Sequence, residues 1–225
     1  MKTNLNIIVM AMLPLLLAAT SCKPVASISY AYDADAKTLT ISGTGPMPDL
    51  GRFEISPWNS YQNKTAAVVI EEGITSIGDG NFKHFEKLIS VSLPESLESI
   101  GDETFMGTGI VSITIPKSVK SIGHAAFLGN KLSYLKIPAS VSKIGILAFE
   151  SPTKAGDAGL KEVVVEWKES PPFIRMKPNV DTGAQNALGH IFGDVSKSVL
   201  KVPKGTKALY ESTPEWKTFG SIVEE

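Results

Sequence analysis

A motif of 22 or 23 residues recurs along the middle of the chain, and this repetition constrains the fold more than any other feature. An Ile-Gly pair is followed four residues after the Gly by a Phe, and a short alternating segment ends in Pro. The marker residues are Gly78, Gly101, Gly123 and Gly145, then Phe82, Phe105, Phe127 and Phe149, and Pro94, Pro116 and Pro138. A fixed period of this length is typical of a solenoid, in which each repeat packs only against its neighbours.

Each repeat predicts two short β-strands. In the segments "VSLP", "ITIP" and "LKIP", apolar residues alternate with polar ones, which is the pattern of a strand with one buried face. Proline has no N–H to give to a ladder, so it ends the strand at a corner. A second extended stretch begins at Leu97, Val119 or Val141 and runs to the Ile-Gly pair. One repeat has too few apolar side chains to offset the entropy lost on ordering it, so it is stable only beside another copy.

Two positions of the repeat predict how its corners pack. A Gly after the Ile suits either a backbone with positive φ or a close approach by another segment, and the sequence leaves both reasons open. The residue before each Phe is short, so the ring can fold beneath the turn. These short residues are Asn81, Thr104, Ala126 and Ala148.

The repeat pattern "SV.SIG..AF.G..L..L.IP" resembles the BspA-type leucine-rich repeat of surface proteins from anaerobic Gram-negative bacteria and some protists. The resemblance covers Val68 to Val165. Repeats of that family commonly carry a Cys after the Phe, whereas this chain has Phe85 in the first copy and the turns "GTG" and "GNK" in the next two. The resemblance implies a leucine-rich repeat fold and attachment to host proteins or to other cells.

We therefore predict a mainly β leucine-rich repeat solenoid of parallel short strands with a cap at each end. "ISYAYDADAKTLTISG" indicates an N-terminal β-hairpin cap, and "GTKALYES" indicates a short helix in the C-terminal cap, where Trp216 and Phe219 can cover the last repeat. "KESPPFIRMKPNVDTGAQNALGHIFGD" lacks periodicity and is interpreted as a long loop or a degenerate repeat. The predicted divisions are a signal peptide (1–21), a lipidated N-terminus with the first cap (22–66), the repeats (67–165), and a degenerate repeat with the second cap (166–225).

The first 21 residues predict a secretory signal peptide. Lys2 precedes an apolar run from Ile7 to Ala19. This run is too short for a transmembrane helix, and its flanking residues are those of a signal peptide. An N-terminal core helix is the alternative, but such a helix would show a polar face. "LAATSC" resembles the lipobox of bacterial lipoproteins, with Ala19 where Leu is usual. We predict that Cys22 carries lipid and anchors the protein to the outer membrane, surface-exposed or facing the periplasm; the alternative is an incidental cysteine beside a plain cleavage site.

Composition and motifs argue against several classes of chemistry. A formal net charge of -1 provides no basic field for nucleic acid. His84, His124 and His190 show no metal-ligand spacing, and no second Cys can join them. The stretch around Asp33 and Asp35 lacks the oxygen ligands of a calcium loop and favours a hairpin turn that uses the left-handed tolerance of Asp. No phosphate loop or nucleophile motif occurs, so we expect no cofactor, no catalytic residues and no enzymatic activity. We also expect no metal ion and a monomeric protein.

The residues that alternate with the buried ones predict a solvent-facing surface for a ligand. They are Ser90, Ser92, Ser112, Thr114, Tyr134, Lys136, Glu162 and Val164. Small hydroxylic side chains allow close approach, and Tyr134 with Lys136 is the pair with hot-spot character. We predict attachment to a protein, either a host protein or another cell-surface protein, through this surface. The alternative is that the surface is merely solvated.

Other function classes compete with protein attachment. A glycan-binding accessory lipoprotein of a carbohydrate-uptake system would use Trp58, Tyr61, Tyr134, Trp167 and Trp216 as a sugar platform, although capping of the solenoid ends is the favoured interpretation of most of them. An enzyme would need a pocket with converging titratable groups, for which a short solenoid has few places. A purely structural role in the envelope is the remaining class.

Overall fold

The computed structural model describes residues 10–11, 27–51, 54–151, 159–169, 173–175 and 190–225. Within them the predicted solenoid of short parallel strands is confirmed, and it makes about six turns. Cys22 and the predicted signal peptide, except Met10–Ala11, lie outside the described residues. The strands are β1 (Met10–Ala11), β2 (Ser27–Asp33), β3 (Thr38–Pro46), β4 (Ala67–Ile70), β5 (Ile74–Ile77), β6 (Ser90–Ser92), β7 (Ser99–Ile100), β8 (Ser121–Ile122), β9 (Tyr134–Ile137), β10 (Lys143–Gly145), β11 (Glu162–Val165), β12 (Phe173–Arg175), β13 (Val199–Val202) and β14 (Ser221–Glu224).

Parallel strands form two ladders, one on each of two sides of the turns. We call β4, β6, β9, β11, β13 and β14 the first ladder. The second ladder consists of β5, β7, β8, β10 and β12. Strand β3 joins both ladders, because its start pairs with β4 and its end, Gly45 and Pro46, pairs with β5.

The core between the ladders is organised around a stack of aromatic rings. The stacked rings are, in order, Trp58, Phe82, Phe105, Phe127, Phe149 and Phe192. Centroids of the four repeat Phe rings lie 5.3–5.4 Å apart, and Phe127 is buried as predicted. Trp58 and Phe192 extend the stack at 5.6 and 6.0 Å. Both rings thus occupy the Phe position in turns whose sequences no longer carry the repeat markers.

Close packing, and not positive φ, explains the Gly of each Ile-Gly corner. A Cβ added to Gly101, Gly123 or Gly145 would lie 2.7, 2.5 or 2.3 Å from a backbone nitrogen of the preceding turn. Real Cβ atoms do not approach backbone so closely, so a side chain there would push the turns apart. The left-handed backbone lies two residues later, at Glu103, Ala125 and Leu147, with φ of 54°, 51° and 60°.

The N-terminal cap is the predicted hairpin of β2 and β3, which pair antiparallel. Its turn is built differently from the sequence expectation. Asp33 Oδ1 accepts hydrogen bonds from the backbone N–H groups of Asp35 and Ala36, each at 2.9 Å, and Lys37 is the residue with left-handed φ, 52°. Asp33 therefore shapes the turn by accepting hydrogen bonds, while the left-handed residue is a lysine.

The C-terminal cap contains the predicted short helix, α1 (Lys207–Ser212), followed by a 3₁₀ turn at Trp216–Thr218. Trp216 is buried and contacts the rings of Trp167, Phe192 and Tyr210. The Tyr210 hydroxyl donates to Trp167 O at 2.9 Å, and burial raises the pKa of that phenol. This cluster shields the end of the core from water.

The aperiodic segment before this cap contributes to the solenoid where it is described. Strand β12 (Phe173–Arg175) adds to the second ladder beside β10, and Phe192 lies on Phe149. The backbone N–H of Phe149 also donates to Ile191 O at 2.9 Å. These contacts favour the degenerate-repeat interpretation over that of a long loop.

Candidate binding face

Strand register brings most of the predicted ligand-binding residues onto one surface. Tyr134 pairs with Glu162, and Lys136 with Val164, across β9 and β11. Thr114 forms a parallel bridge with Lys136. The predicted residues that are exposed are Ser90, Ser92, Ser112, Thr114, Tyr134 and Lys136, while Glu162 is half-buried. We call these seven residues the binding face; it runs from small hydroxylic side chains to an aromatic and charged end.

Val164 is an exception, because it is only 6% exposed and does not belong to the binding face. In the first ladder it lies between Lys136 of β9 and Lys201 of β13. Each of these lysines forms an ion pair with a glutamate, so two paired long side chains flank the valine. The alternation of the strand was predicted correctly at this position, but the burial of Val164 was not.

The first ladder is interrupted in the middle of the binding face. The segment Ser112–Thr114 is not a regular strand, and Thr114 makes its only described bridge, to Lys136. The chain still follows the ladder there, because Ile113 and Ile115 remain buried on the core side. Backbone groups of the hydroxylic half are therefore less fully paired than those of the charged half.

Ion pairs link the strands at the charged end of the binding face. Lys136 Nζ lies 2.9 Å from Glu166 Oε1, and Lys201 Nζ lies 3.0 Å from Glu162 Oε1 and 3.6 Å from Glu225 Oε2. The hydrogen bond from Lys136 holds the pKa of Glu166 below its usual value, and the same bond raises the pKa of Lys136. The hydrogen bond to Glu162 likewise raises the pKa of Lys201. Lys136 is thus a paired cation and not a free one.

Sequence reasoning missed three members of this network, namely Glu166, Lys201 and Glu225. A signal for Lys201 was present, because "LKVP" at residues 200–203 repeats the "LKIP" that contains Lys136. The two segments are separated by irregular insertions, which hide their equivalence in a search for a 22-residue period. Glu166 and Glu225 lie just beyond the strands, and their sequence gave no signal.

Two exposed apolar side chains adjoin the hydroxylic half of the face. Ile89 is 52% exposed and Val111 is 49% exposed, and each directly precedes a serine of the binding face. The backbone N–H of Val111 donates to Ile89 O, so the two residues lie on adjacent turns. Together with Tyr134, which is 44% exposed, they add apolar area to a mainly polar surface. A 22-residue spacing connects Ile89 and Val111 in the sequence and could have identified them.

Residues 57–165 match, in six copies, a family model described as the BspA type leucine rich repeat region. The protein is a leucine-rich repeat solenoid. Such repeats are generally protein-interaction modules and typically non-enzymatic, and BspA-type proteins are typically exported or surface proteins. No curated protein matches the sequence significantly.

Several solved structures are similar to parts of this leucine-rich repeat chain. A leucine-rich repeat protein from Eubacterium ventriosum is 28% identical with a TM-score of 0.48, over 61% of this chain and 41% of that one. The T. pallidum Leucine Rich Repeat protein is 18% identical with a TM-score of 0.43, over 88% and 80%. A leucine-rich repeat protein from Bacteroides ovatus is 18% identical with a TM-score of 0.42, over 88% and 69%. This chain therefore spans less than half the length of the Eubacterium ventriosum protein.

The leucine-rich repeat solenoid does not assemble the predicted aromatic sugar platform. Trp58, Trp167 and Trp216 are buried at the two ends of the core, and only Tyr134 of the five aromatics is exposed. The indole N–H of Trp58 donates to Asn81 O at 3.0 Å, and that of Trp167 donates to Val141 O at 2.9 Å. A sugar cannot stack on ring faces that are already packed, so these tryptophans act as caps, as favoured from the sequence.

Other polar groups of the described residues have structural roles. Aspartate side chains accept hydrogen bonds from the backbone of the next turn: the backbone N–H of Asp102 donates to Asp79 Oδ1, and that of His124 donates to Asp102 Oδ1, each at 2.7 Å. These bonds join successive turns at the glycine corners. Among the described residues, no group of three His, Cys, Asp or Glu side chains could hold a metal ion, and no helix is long and apolar enough to cross a membrane.

Proposed function

We propose that this leucine-rich repeat protein is a cell-envelope binding module that attaches to a protein ligand through the binding face. The alignment of exposed serine, threonine, tyrosine and lysine side chains on adjacent turns supports this proposal most strongly. Small side chains allow the backbone of a partner to come close, while Tyr134 provides a rigid aromatic contact. Ile89 and Val111 add apolar surface beside it, as expected for a protein interface.

The charged end of the face would determine specificity more than affinity. Its lysine and glutamate side chains are paired within the protein, so a partner must either match this alternation of charge or break the pairs. Electrostatic complementarity of this kind selects among partners and sets their orientation. We propose that the ligand is a host protein or a protein of another cell surface, reached from a lipid anchor at Cys22.

A double substitution tests the face. We expect Tyr134→Ala with Lys136→Ala to weaken ligand binding by about 2 kcal/mol or more, because a few residues, often aromatic or cationic, carry most of the energy of an interface. Binding of the purified protein to candidate cell-surface proteins is measured by surface plasmon resonance, and thermal unfolding is measured in parallel.

The matched control is Ile55→Ala with Lys120→Ala, which also removes one exposed apolar and one exposed cationic side chain, both outside the first ladder. This control should bind like the unaltered protein. Equal losses from the two double variants would show that general charge and apolarity, and not the binding face, carry the interaction.

A further inference from the structure

A second candidate site lies at the loops that lead into β3, β4 and β6, beside the N-terminal hairpin. A pocket of 560 Å³ opens there, within the range of about 300–1,000 Å³ that is usual for small-ligand sites. Its main lining residues are Tyr32, Lys37, Tyr61, Asn63, Lys64 and Lys87. Each of the three lysines precedes the strand of a different turn, so the stacking of turns brings three cations to one opening.

The pocket is cationic although the chain as a whole is not. Lys37, Lys64 and Lys87 are exposed, and none of them forms an ion pair within the part of the chain that the structure describes. No Asp or Glu among the described residues lines the pocket. The nearby carboxylate of Asp33 already accepts two backbone hydrogen bonds in the hairpin turn. Three ammonium groups around one opening, without an ion-pair partner among the described residues, favour an anionic ligand.

Two tyrosines form one wall of this cationic pocket. The rings of Tyr32 and Tyr61 stack at a centroid distance of 4.4 Å and an angle of 24°. Tyr32 Oη also donates to Lys64 O at 3.2 Å, which ties this wall to the loop that carries one of the lysines. Tyr32 is buried and covers one face of Tyr61, so this wall offers the remaining part of the half-buried Tyr61 ring beside the exposed lysine side chains. A simple inorganic anion would gain no favourable contact from such a surface.

We propose that this pocket binds an acidic saccharide. A sugar ring presents apolar C–H groups that can contact the part of the Tyr61 ring that Tyr32 does not cover, and its hydroxyl groups can exchange hydrogen bonds with the amide of Asn63. Its carboxylate or sulfate groups would pair with the three lysines. A nucleic acid fits less well, because a net charge of -1 offers no extended basic surface for a long phosphate backbone. The site adjoins the start of the binding face at Ala66, whose carbonyl accepts from the backbone N–H of Ser90, but the two share no residue, so separate variants can test them.

The experiment is isothermal titration calorimetry of the purified protein with two probes at low salt. Trigalacturonate supplies carboxylates and a heparin-derived tetrasaccharide supplies sulfates, so the two arms distinguish the source of the charge. We expect at least one probe to bind. We expect Lys37→Gln, Lys64→Gln and Lys87→Gln together to weaken that binding at least about tenfold, because charge-assisted contacts are lost. The fully methyl-esterified trigalacturonate should bind correspondingly more weakly than the acid.

A triple control, Lys120→Gln, Lys168→Gln and Lys217→Gln, gives the same net charge from exposed lysines elsewhere. It should retain the affinity of the unaltered protein. The proposal is overturned if neither probe binds, if the two triple variants lose affinity equally, or if inorganic sulfate displaces the saccharide at equal concentration, since the pocket would then recognise charge without sugar.

Discussion

Phe127 lies in the middle of the aromatic stack, 5.3 Å from the ring of Phe105 and 5.4 Å from that of Phe149. Its replacement by alanine removes ring contacts on both sides and leaves a cavity between turns. We expect Phe127→Ala to lower the free energy of unfolding by about 3–5 kcal/mol in a denaturant titration. Because turns are stabilised by their neighbours, both flanking turns should also lose protection from hydrogen exchange. A loss below about 1 kcal/mol would contradict the central position of the ring.

Gly123 tests the packing of the corners. A Cβ there would lie 2.5 Å from the backbone nitrogen of Asp102, so Gly123→Ala must force two turns apart. We expect a loss of about 1–3 kcal/mol in the free energy of unfolding, as is typical of overpacking. Gly51 is the control, because the nearest described atoms to an added Cβ belong to the flexible Glu54 side chain, at 3.3 Å, and Gly51→Ala should change stability by no more than about 0.5 kcal/mol. Equal effects would disprove the explanation from close approach.

At the residue scale, the sequence predicted where a residue lies in the repeat better than it predicted why that residue is needed there. The spacing of Phe and Gly was enough to identify the core ring and the corner of each repeat. The spacing could not decide why Gly is needed, because a backbone with positive φ and a close approach by another segment both favour Gly at the same position. Val164 shows the same limit, since strand alternation predicts the side on which a residue lies but not how deeply the adjacent strands bury it.

The ion pair between Lys136 and Glu166 joins β9 to the end of β11. Since the pKa of Glu166 is lowered in the folded protein, the pair contributes stability above the pKa of an unfolded glutamate, about 4.3, and loses it as pH falls through the lowered folded value. We expect Glu166→Gln to be less stable than the unaltered protein at neutral pH by about 0.2–1 kcal/mol, as for other partly exposed pairs.

Urea titrations over a pH series measure this difference. The gap between the two proteins should close as the pH is lowered below the folded pKa of Glu166, because the glutamate is then protonated and resembles the amide. A gap that stays constant at all pH values would mean that the stabilisation does not come from the charge of Glu166.

At the element scale, the hairpin and most strands of the regular repeats could be predicted, whereas the segment at Ser112–Thr114 forms only an isolated bridge and the strands that follow the regular repeats were not predicted. The second strand of each repeat was identified from the stretch that ends at Ile-Gly, because its pattern recurs without insertions. Strands β12 and β13 follow insertions, so their pairing depends on contacts across irregular chain length that no fixed period reveals. The binding face therefore could be predicted only up to Glu162, and its continuation through Lys201 required the fold.

For the whole molecule, the proposed membrane attachment rests on Cys22. If Cys22 carries lipid, Cys22→Ser should move the protein from the membrane fraction to the soluble fraction, because the acyl chains supply the anchoring free energy. Cell fractionation followed by immunoblotting measures the distribution. A variant that remains in the membrane fraction at the original level would show that another contact anchors the protein.

Attachment to a protein through the binding face is the central claim, and site-specific photo-crosslinking on intact cells tests it most directly. A benzophenone amino acid is placed at Thr114 on the binding face or at Lys143 on the second ladder, both of which are exposed. The account predicts a discrete crosslinked protein adduct from position 114 and none from position 143. Adducts of equal yield from both positions, or from position 143 alone, would contradict it.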